Sequence, residues 1–283
     1  RPAAPTRTEF ERRHEERFKG VTFDWMEFQR DGQPFPAPNP NLRTAQQVVL
    51  QAADGSGAPR ILVDRDLRPA NLAWRPDGKL VAFVADPDWR DEIKYESPDL
   101  WTVSIDDGKI TRLTDDGYVY GDVEFSPDGK FLSYARSFGT DMIIQQKLNH
   151  GGPRDLFVRS ADLKQEINLT AKWDLDPGDT RWSPDGRYLY FTAGTGGETH
   201  LFRVAAPGGS ATNGSNGGVE QVTKGERGIN GLTYNRDFTK IAYTVGLHDS
   251  PGDVYVANID GSGERRLSDI HSGFLKEVAI GPT

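Results

Sequence analysis

Trp74-Arg75-Pro76-Asp77-Gly78, Phe125-Ser126-Pro127-Asp128-Gly129 and Trp182-Ser183-Pro184-Asp185-Gly186 are copies of one pattern, and Tyr234-Asn235-Arg236-Asp237-Phe238 is a worn fourth. From proline to proline the three good copies stand 51 and 57 residues apart. Each copy is an aromatic, a tight turn and then an apolar run. Such a unit recurring at this period marks an array of like β units. The turn has a plain physical basis. Proline presets φ at the second turn position, Asp bonds the turn backbone, and Gly tolerates the left-handed exit. Asp77, Asp128 and Asp185 therefore read as turn residues rather than ligands, because the turn recurs and a site occurs once.

The pattern extends outward from each turn. Residues 80–85, 131–136, 188–193 and 240–245 read as a second strand, and 99–105, 155–159, 199–204 and 253–259 as a third. From Leu100 to Ile105 apolar and polar residues alternate, as in a half-buried strand. A further turn (Asp54-Gly55, Asp107-Gly108, Gly208-Gly209, Asp260-Gly261) leads to a short outer strand. Its markers are Leu62, Leu113, Leu169, Val222 and Leu267, at intervals of 51, 56, 53 and 45 residues. Four of the five are followed by a hydroxyl residue: Thr114, Thr170, Thr223 and Ser268. The predicted fold is all-β, a β-propeller of four-stranded antiparallel blades. About five blades are touched, in a ring that these units need not complete. An incomplete ring exposes strand edges that invite a second copy, so a homodimer is an expectation.

Composition bounds the rest. Hydrophobic residues make up 36% of the 283, with 6 Trp, 9 Tyr and 14 Phe, enough for an aromatic-rich core. Gly (31) and Pro (18) suit many short strands joined by many turns. The net charge of −8 argues against a nucleic-acid partner, whose phosphates would be repelled. With no cysteine, disulfides and thiolate metal sites are excluded and the redox compartment is left open. No apolar run reaches the roughly 18 residues of a membrane span. Arg1 is not an initiator Met, so the sequence reads as a processed or cut piece of something longer.

Two stretches stand apart from the array. Residues 1–20 read as a charged leading arm or helix, with Glu9, Arg13 and Arg17 on one stripe and Glu9 correctly placed for an ion pair to Arg13. Residues 21–29 read as a strand and 33–40, with four prolines, as an extended loop. The propeller is expected over 21–283. Within it, 207–218 (PGGSATNGSNGG) reads as a flexible insertion in a blade hairpin.

Blades with Pro-Asp-Gly turns and a following Leu-Thr resemble TolB-like propeller repeats. Residues 20–32, Gly117-Tyr118-Val119-Tyr120-Gly121-Asp122, His150-Gly151-Gly152 and Trp173-Asp174-Leu175-Asp176-Pro177 go further. They resemble the propeller half of the prolyl oligopeptidase family of serine peptidases, on its dipeptidyl-peptidase and acylaminoacyl-peptidase side. The resemblance runs over almost the whole chain. It implies a non-catalytic propeller that gates short peptides toward a hydrolase domain of the same polypeptide, carrying a Ser-Asp-His triad. The absence of cysteine and the flexible insertion fit a bacterial protein, periplasmic or cytoplasmic, and no cofactor is expected. A free-standing TolB-like propeller that binds a protein partner is the alternative.

The sequence holds no Gly-x-Ser-x-Gly, the turn that exposes a nucleophilic serine, so this chain alone should be inactive. The five histidines (His14, His150, His200, His248, His271) show no partner logic for a general base. In dipeptidyl peptidases a tyrosine-and-acid segment holds the substrate amine. Tyr118–Phe125 resembles it loosely, which makes Tyr120, Asp122 and Glu124 candidate peptide-binding residues. Arg136 and His150, at blade connections, are candidates to grip a peptide carbonyl or carboxylate. Asp174, Asp176 and Asp179 fail as a calcium loop because Gly178 takes a ligand position, and read as turn acids.

Overall fold

In a computed structural model, residues 8–9, 12–13, 44–91, 94–148, 154–162, 164–207, 218–247 and 250–277 are described. The predicted loop at 33–40, the strand at 21–29, most of the leading arm, His150 and the insertion at 208–217 lie outside them. Glu9 and Arg13 do form their predicted ion pair, at 2.8 Å.

The strands follow the repeat. A first, two-stranded unit pairs β1 (Val48–Leu50) with β2 (Arg60–Val63). Blade two is β3 (Ala70–Trp74), β4 (Leu80–Ala85), β5 (Asp99–Ser104) and β6 (Ile110–Arg112). Blade three is β7 (Tyr118–Phe125), β8 (Phe131–Phe138), β9 (Asp155–Ser160) and β10 (Glu166–Asn168). Blade four is β11 (Gly178–Trp182), β12 (Tyr188–Thr195), β13 (Glu198–Ala205) and β14 (Glu220–Gln221). Blade five is β15 (Gly228–Tyr234), β16 (Lys240–Leu247), β17 (Ser250–Asn258) and β18 (Arg265–Arg266). Every neighbouring pair within a blade is antiparallel. Blades four and five are also stitched by a parallel pairing, Thr199 with Gly228. Short helices α1 (Thr140–Gln146) and α2 (Ser272–Leu275) lie between β8 and β9 and after β18.

The Pro-Asp-Gly turns behave as their chemistry dictates. The carboxylates of Asp77, Asp128 and Asp185 accept the amides of Lys79, Lys130 and Arg187 at 3.0–3.1 Å. Gly78, Gly129 and Gly186 take φ of 71°, 70° and 69°, where a side chain would be strained.

The core lies between blades rather than within them. Phe125 packs on Ala82, Val84 and Leu100 of blade two, and Trp182 on Leu156 and Val158 of blade three. Trp182 Nε1 also donates to Ser133 Oγ at 2.9 Å. The repeat aromatic is thus a peg set into the preceding blade. Trp74 is the exception, 50% exposed, because only two strands precede it among the described residues. At the other end, β16 buries Ile241, Tyr243 and Val245 but exposes Thr244, so its outer face lacks a covering blade among the described residues. The second strands of blades two to four are buried on both faces.

Candidate functional site

Each inner strand carries a bulge at the same place. The backbone turns left-handed at Asn71 (φ 49°), Asp122 (φ 51°), Asp179 (φ 51°) and Gly231 (φ 60°), where the pairing register slips. Asn, Asp and Gly are the residues that tolerate this conformation. The bulges aim polar groups at neighbouring blades. Asn71 Oδ1 accepts the amide of Asp122 at 3.4 Å. Asp122 meets Arg154 Nη1 at 3.4 Å, and Arg154 also donates to Pro177 O and, through its amide, to Asp176. Arg154 therefore ties blade three to the entry of blade four.

The other candidate residues divide by how fully their groups are engaged. Glu124 accepts from Arg181 Nη1 at 3.2 Å and from the Trp182 amide at 3.1 Å. Burial pushes its carboxyl above the usual carboxylate range, against the opposing pull of Arg181 and that amide. Arg136 holds its guanidinium carbon 3.7 Å from the Phe157 ring centre and 4.5 Å from that of Tyr118, and pairs with Glu166 at 3.1 Å. Glu166 also accepts from Tyr134 Oη. Tyr120 donates to Asp116 at 2.7 Å, and burial, reinforced by Asp116, drives its hydroxyl well above the ordinary range. Tyr120 and Arg136 are direct cross-strand partners, so the two do meet. They sit at the end of blade three away from its Pro-Asp-Gly turn. The α1 segment joins that end, where Asp141 accepts the Tyr95 amide at 3.2 Å. Gly139 is required there, since a Cβ would lie 2.2 Å from Gly117 O. Asp122 is the least committed acid of the set, half-buried, with its carboxylate on the long contact to Arg154.

A second repeated feature is a clasp at the outer strand. Thr114 Oγ1 accepts the Leu100 amide and donates to Asp99; Thr170 does the same for Leu156 and Asp155. Ser268 serves Val254 and Asp253 in the same way. The hydroxyl after each outer Leu thus locks the outer strand to the third. Asp99 and Asp253 occupy like places but respond oppositely. Burial drives the Asp99 carboxyl upward despite Arg112 and Thr114, while Ser268, the Ile270 amide and Arg266 hold Asp253 below the usual range. A depressed carboxyl contributes stability above its unfolded value and loses it as pH falls through the folded one. Asp253→Asn should therefore weaken the fold near about pH 7, and the deficit should shrink as pH falls below the ordinary carboxylate range of about 4. Denaturant midpoints above and below that range check this.

Blade four replaces the clasp acid with His200, between Thr223 Oγ1 (3.3 Å) and Glu198 Oε2 (3.0 Å). The trio has the parts of a hydrolytic relay. It is not one, since His200 is 1% exposed and the hydroxyl also accepts the Leu201 amide, as in every clasp. No group of three or more His, Asp or Glu among the described residues is arranged to hold a metal. No helix among them is long and apolar enough to cross a membrane.

No family model matches the sequence. The chain is 26% identical over 153 residues to the uncharacterized peptidase YuxL of Bacillus subtilis, covering 44% of this chain and 22% of the relative. It is 20% identical over 160 residues to dipeptidyl-peptidase 5 of Porphyromonas gingivalis (55% and 21%), and 27% over 143 residues to that of Aspergillus fumigatus (46% and 19%). The matches thus span about a fifth of these relatives. Among solved structures, TolB of Acinetobacter baumannii superposes with a TM-score of 0.54 at 21% identity, over 81% of this chain and 51% of TolB. Puromycin hydrolase superposes with a TM-score of 0.52 at 14% identity, over 75% of this chain and 31% of the hydrolase. With the blade architecture, these likenesses support a propeller of the prolyl oligopeptidase peptidase family, built from TolB-like blades.

Proposed function

We propose that this chain is the non-catalytic propeller domain of a serine peptidase, gating short peptides toward a hydrolase domain of the same polypeptide. One observation carries the reading. Three peptidases share sequence with the chain over about a fifth of their length, and its blades hold no nucleophile elbow. In this reading Asp122 is the acid best placed to meet a substrate amine, being half-buried and lightly held. Glu124 supports it by fixing blade three against blade four, and Arg136 by lying between the rings of Tyr118 and Phe157. The acidic balance would steer cationic amino termini toward the opening. A free-standing binding module is the second reading, favoured by the 81% of this chain that TolB covers.

The two separate on covalent labelling and gene context. The isolated chain should not react with a fluorophosphonate probe, whereas the native gene product should label at one serine. That product should cleave short peptides and spare folded proteins. A native protein that takes no label, from a coding sequence with no Gly-x-Ser-x-Gly, would sink the peptidase reading in favour of the binding module.

A further inference from the structure

Two half-buried arginines among the described residues lack a carboxylate partner, Arg68 and Arg159. Each of the other half-buried ones is ion-paired. Arg159 at least lies opposite Glu166 on the neighbouring strand. Arg68 has no such neighbour, yet it is held in place. Residues 64–69 run from the outer strand β2 to the inner strand β3, at the end of the blades away from the Pro-Asp-Gly turns. Leu67 anchors them, buried between the first unit and blade two and accepting the Gln46 amide at 2.9 Å. Residues 86–98, which join β4 to β5, come to the same end. There Trp89 Nε1 donates to Asp66 O at 3.1 Å.

The Trp89 ring carries two guanidinium groups. The guanidinium carbon of Arg90 stands 4.1 Å from the ring centre and that of Arg68 5.6 Å, both within cation–π range. Their charges are treated differently. Arg90 Nε meets both oxygens of Asp66, at 2.8 and 2.7 Å, so the one nearby carboxylate is taken. Arg68 has the ring and, among the described residues, no polar partner. A guanidinium held on an indole keeps its planar fork of N–H donors for an incoming group, and that fork matches a carboxylate.

We infer that Arg68 anchors the C-terminal carboxylate of a short peptide, and that with Asp122 it selects peptides free at both ends. The part played by Asp122 rests on the peptide reading above. Arg68 stands three residues before Asn71, whose Oδ1 accepts the Asp122 amide at 3.4 Å. Three residues span at most about 11 Å. Arg68 and Asp122 are therefore rooted at the same end of neighbouring inner strands, within reach of one short peptide. Asp66 and Asp116 share that end, and the chain carries a net charge of −8. Those negative charges favour a singly charged carboxylate over a doubly charged phosphate.

The indole N–H signals of the whole chain, read by heteronuclear NMR with Trp89 assigned through Trp89→Phe, test the anchor. A carboxylate on the Arg68 fork should move the Trp89 signal, because the two side chains are in contact. The probes are trialanine, its N-acetyl form and its C-terminal amide. Both acids should move the signal, trialanine at the lower concentration, and the amide should need at least about tenfold more than trialanine, as expected for losing a charged hydrogen-bonded pair. Arg68→Gln should erase the difference between acid and amide. Arg65→Gln, at an exposed neighbour, should keep it, and the Trp182 signal reports that each variant is folded. Acid and amide acting alike in the parent, no movement with any probe, an acid preference that survives Arg68→Gln, or one lost equally in Arg65→Gln would overturn the anchor. N-acetyl-trialanine binding as tightly as trialanine would overturn the part of Asp122 alone. Fluorophosphonate labelling of the native gene product decides the peptidase reading separately, so a labelled serine beside an unmoved Trp89 signal would sink the anchor and leave that reading standing.

Discussion

Replacing Trp182 with alanine should cost about 3–5 kcal/mol of stability, whereas the same change at Trp74 should cost less than about 1 kcal/mol. The two residues hold the same place in the repeat, so the contrast isolates the inter-blade joint. Trp182 is 4% exposed, fills the space beside Leu156 and Val158, and donates to Ser133. Its removal leaves a cavity and strands the buried Ser133 hydroxyl, which keeps only its bond to Glu124 O. Trp74 is 50% exposed, and its truncation empties little that was filled. Urea midpoints followed by circular dichroism, which stays usable when a tryptophan is lost, measure both. Equal losses would show that the peg-in-blade account is wrong.

Two residues alike in the repeat and unlike in burial mark the boundary of what local sequence encodes. The repeat of aromatic, turn and apolar strand places all four blades, because turn chemistry and period-two burial are local properties. The expected insertion at 207–218 falls between β13 and β14, and its residues 208–217 lie outside the described residues. The bulges leave a local mark as well, though a subtler one. Asn71, Asp122, Asp179 and Gly231 each stand three residues before a repeat aromatic, and all are types that accept positive φ. Asp122 thus has a backbone reason to be Asp, whatever it does for a substrate.

The clasp of blade four is hidden by its spacing. In blades two, three and five the acid precedes its hydroxyl by 15 residues; in blade four the insertion stretches the gap to 23 and the acid is a histidine. Residue type and spacing change together there, so the repeat does not point from His200 to Thr223. The engagements of Glu124 and Arg136 are illegible for a deeper reason. Arg181 lies 57 residues from Glu124 and Glu166 lies 30 from Arg136, and their meeting depends on how strands and blades stack. Local pattern carries no such information.

The clasp itself should be the other large contributor. Thr170 is fully buried, accepts the Leu156 amide at 2.9 Å and donates to Asp155 at 2.6 Å. Thr170→Val keeps the shape and removes both bonds, which leaves a buried amide and a carboxylate oxygen short of a partner. The expected loss is about 2–4 kcal/mol. Thr170→Ser keeps the hydroxyl and gives up one methyl, at a cost of roughly 1 kcal/mol. Urea midpoints of the two variants rank them. A packing account predicts the reverse order, since valine matches threonine in volume and serine leaves a void. Serine should win because the clasp joins two strands through a hydroxyl that accepts from one and donates to the other, and no apolar group of any size does both.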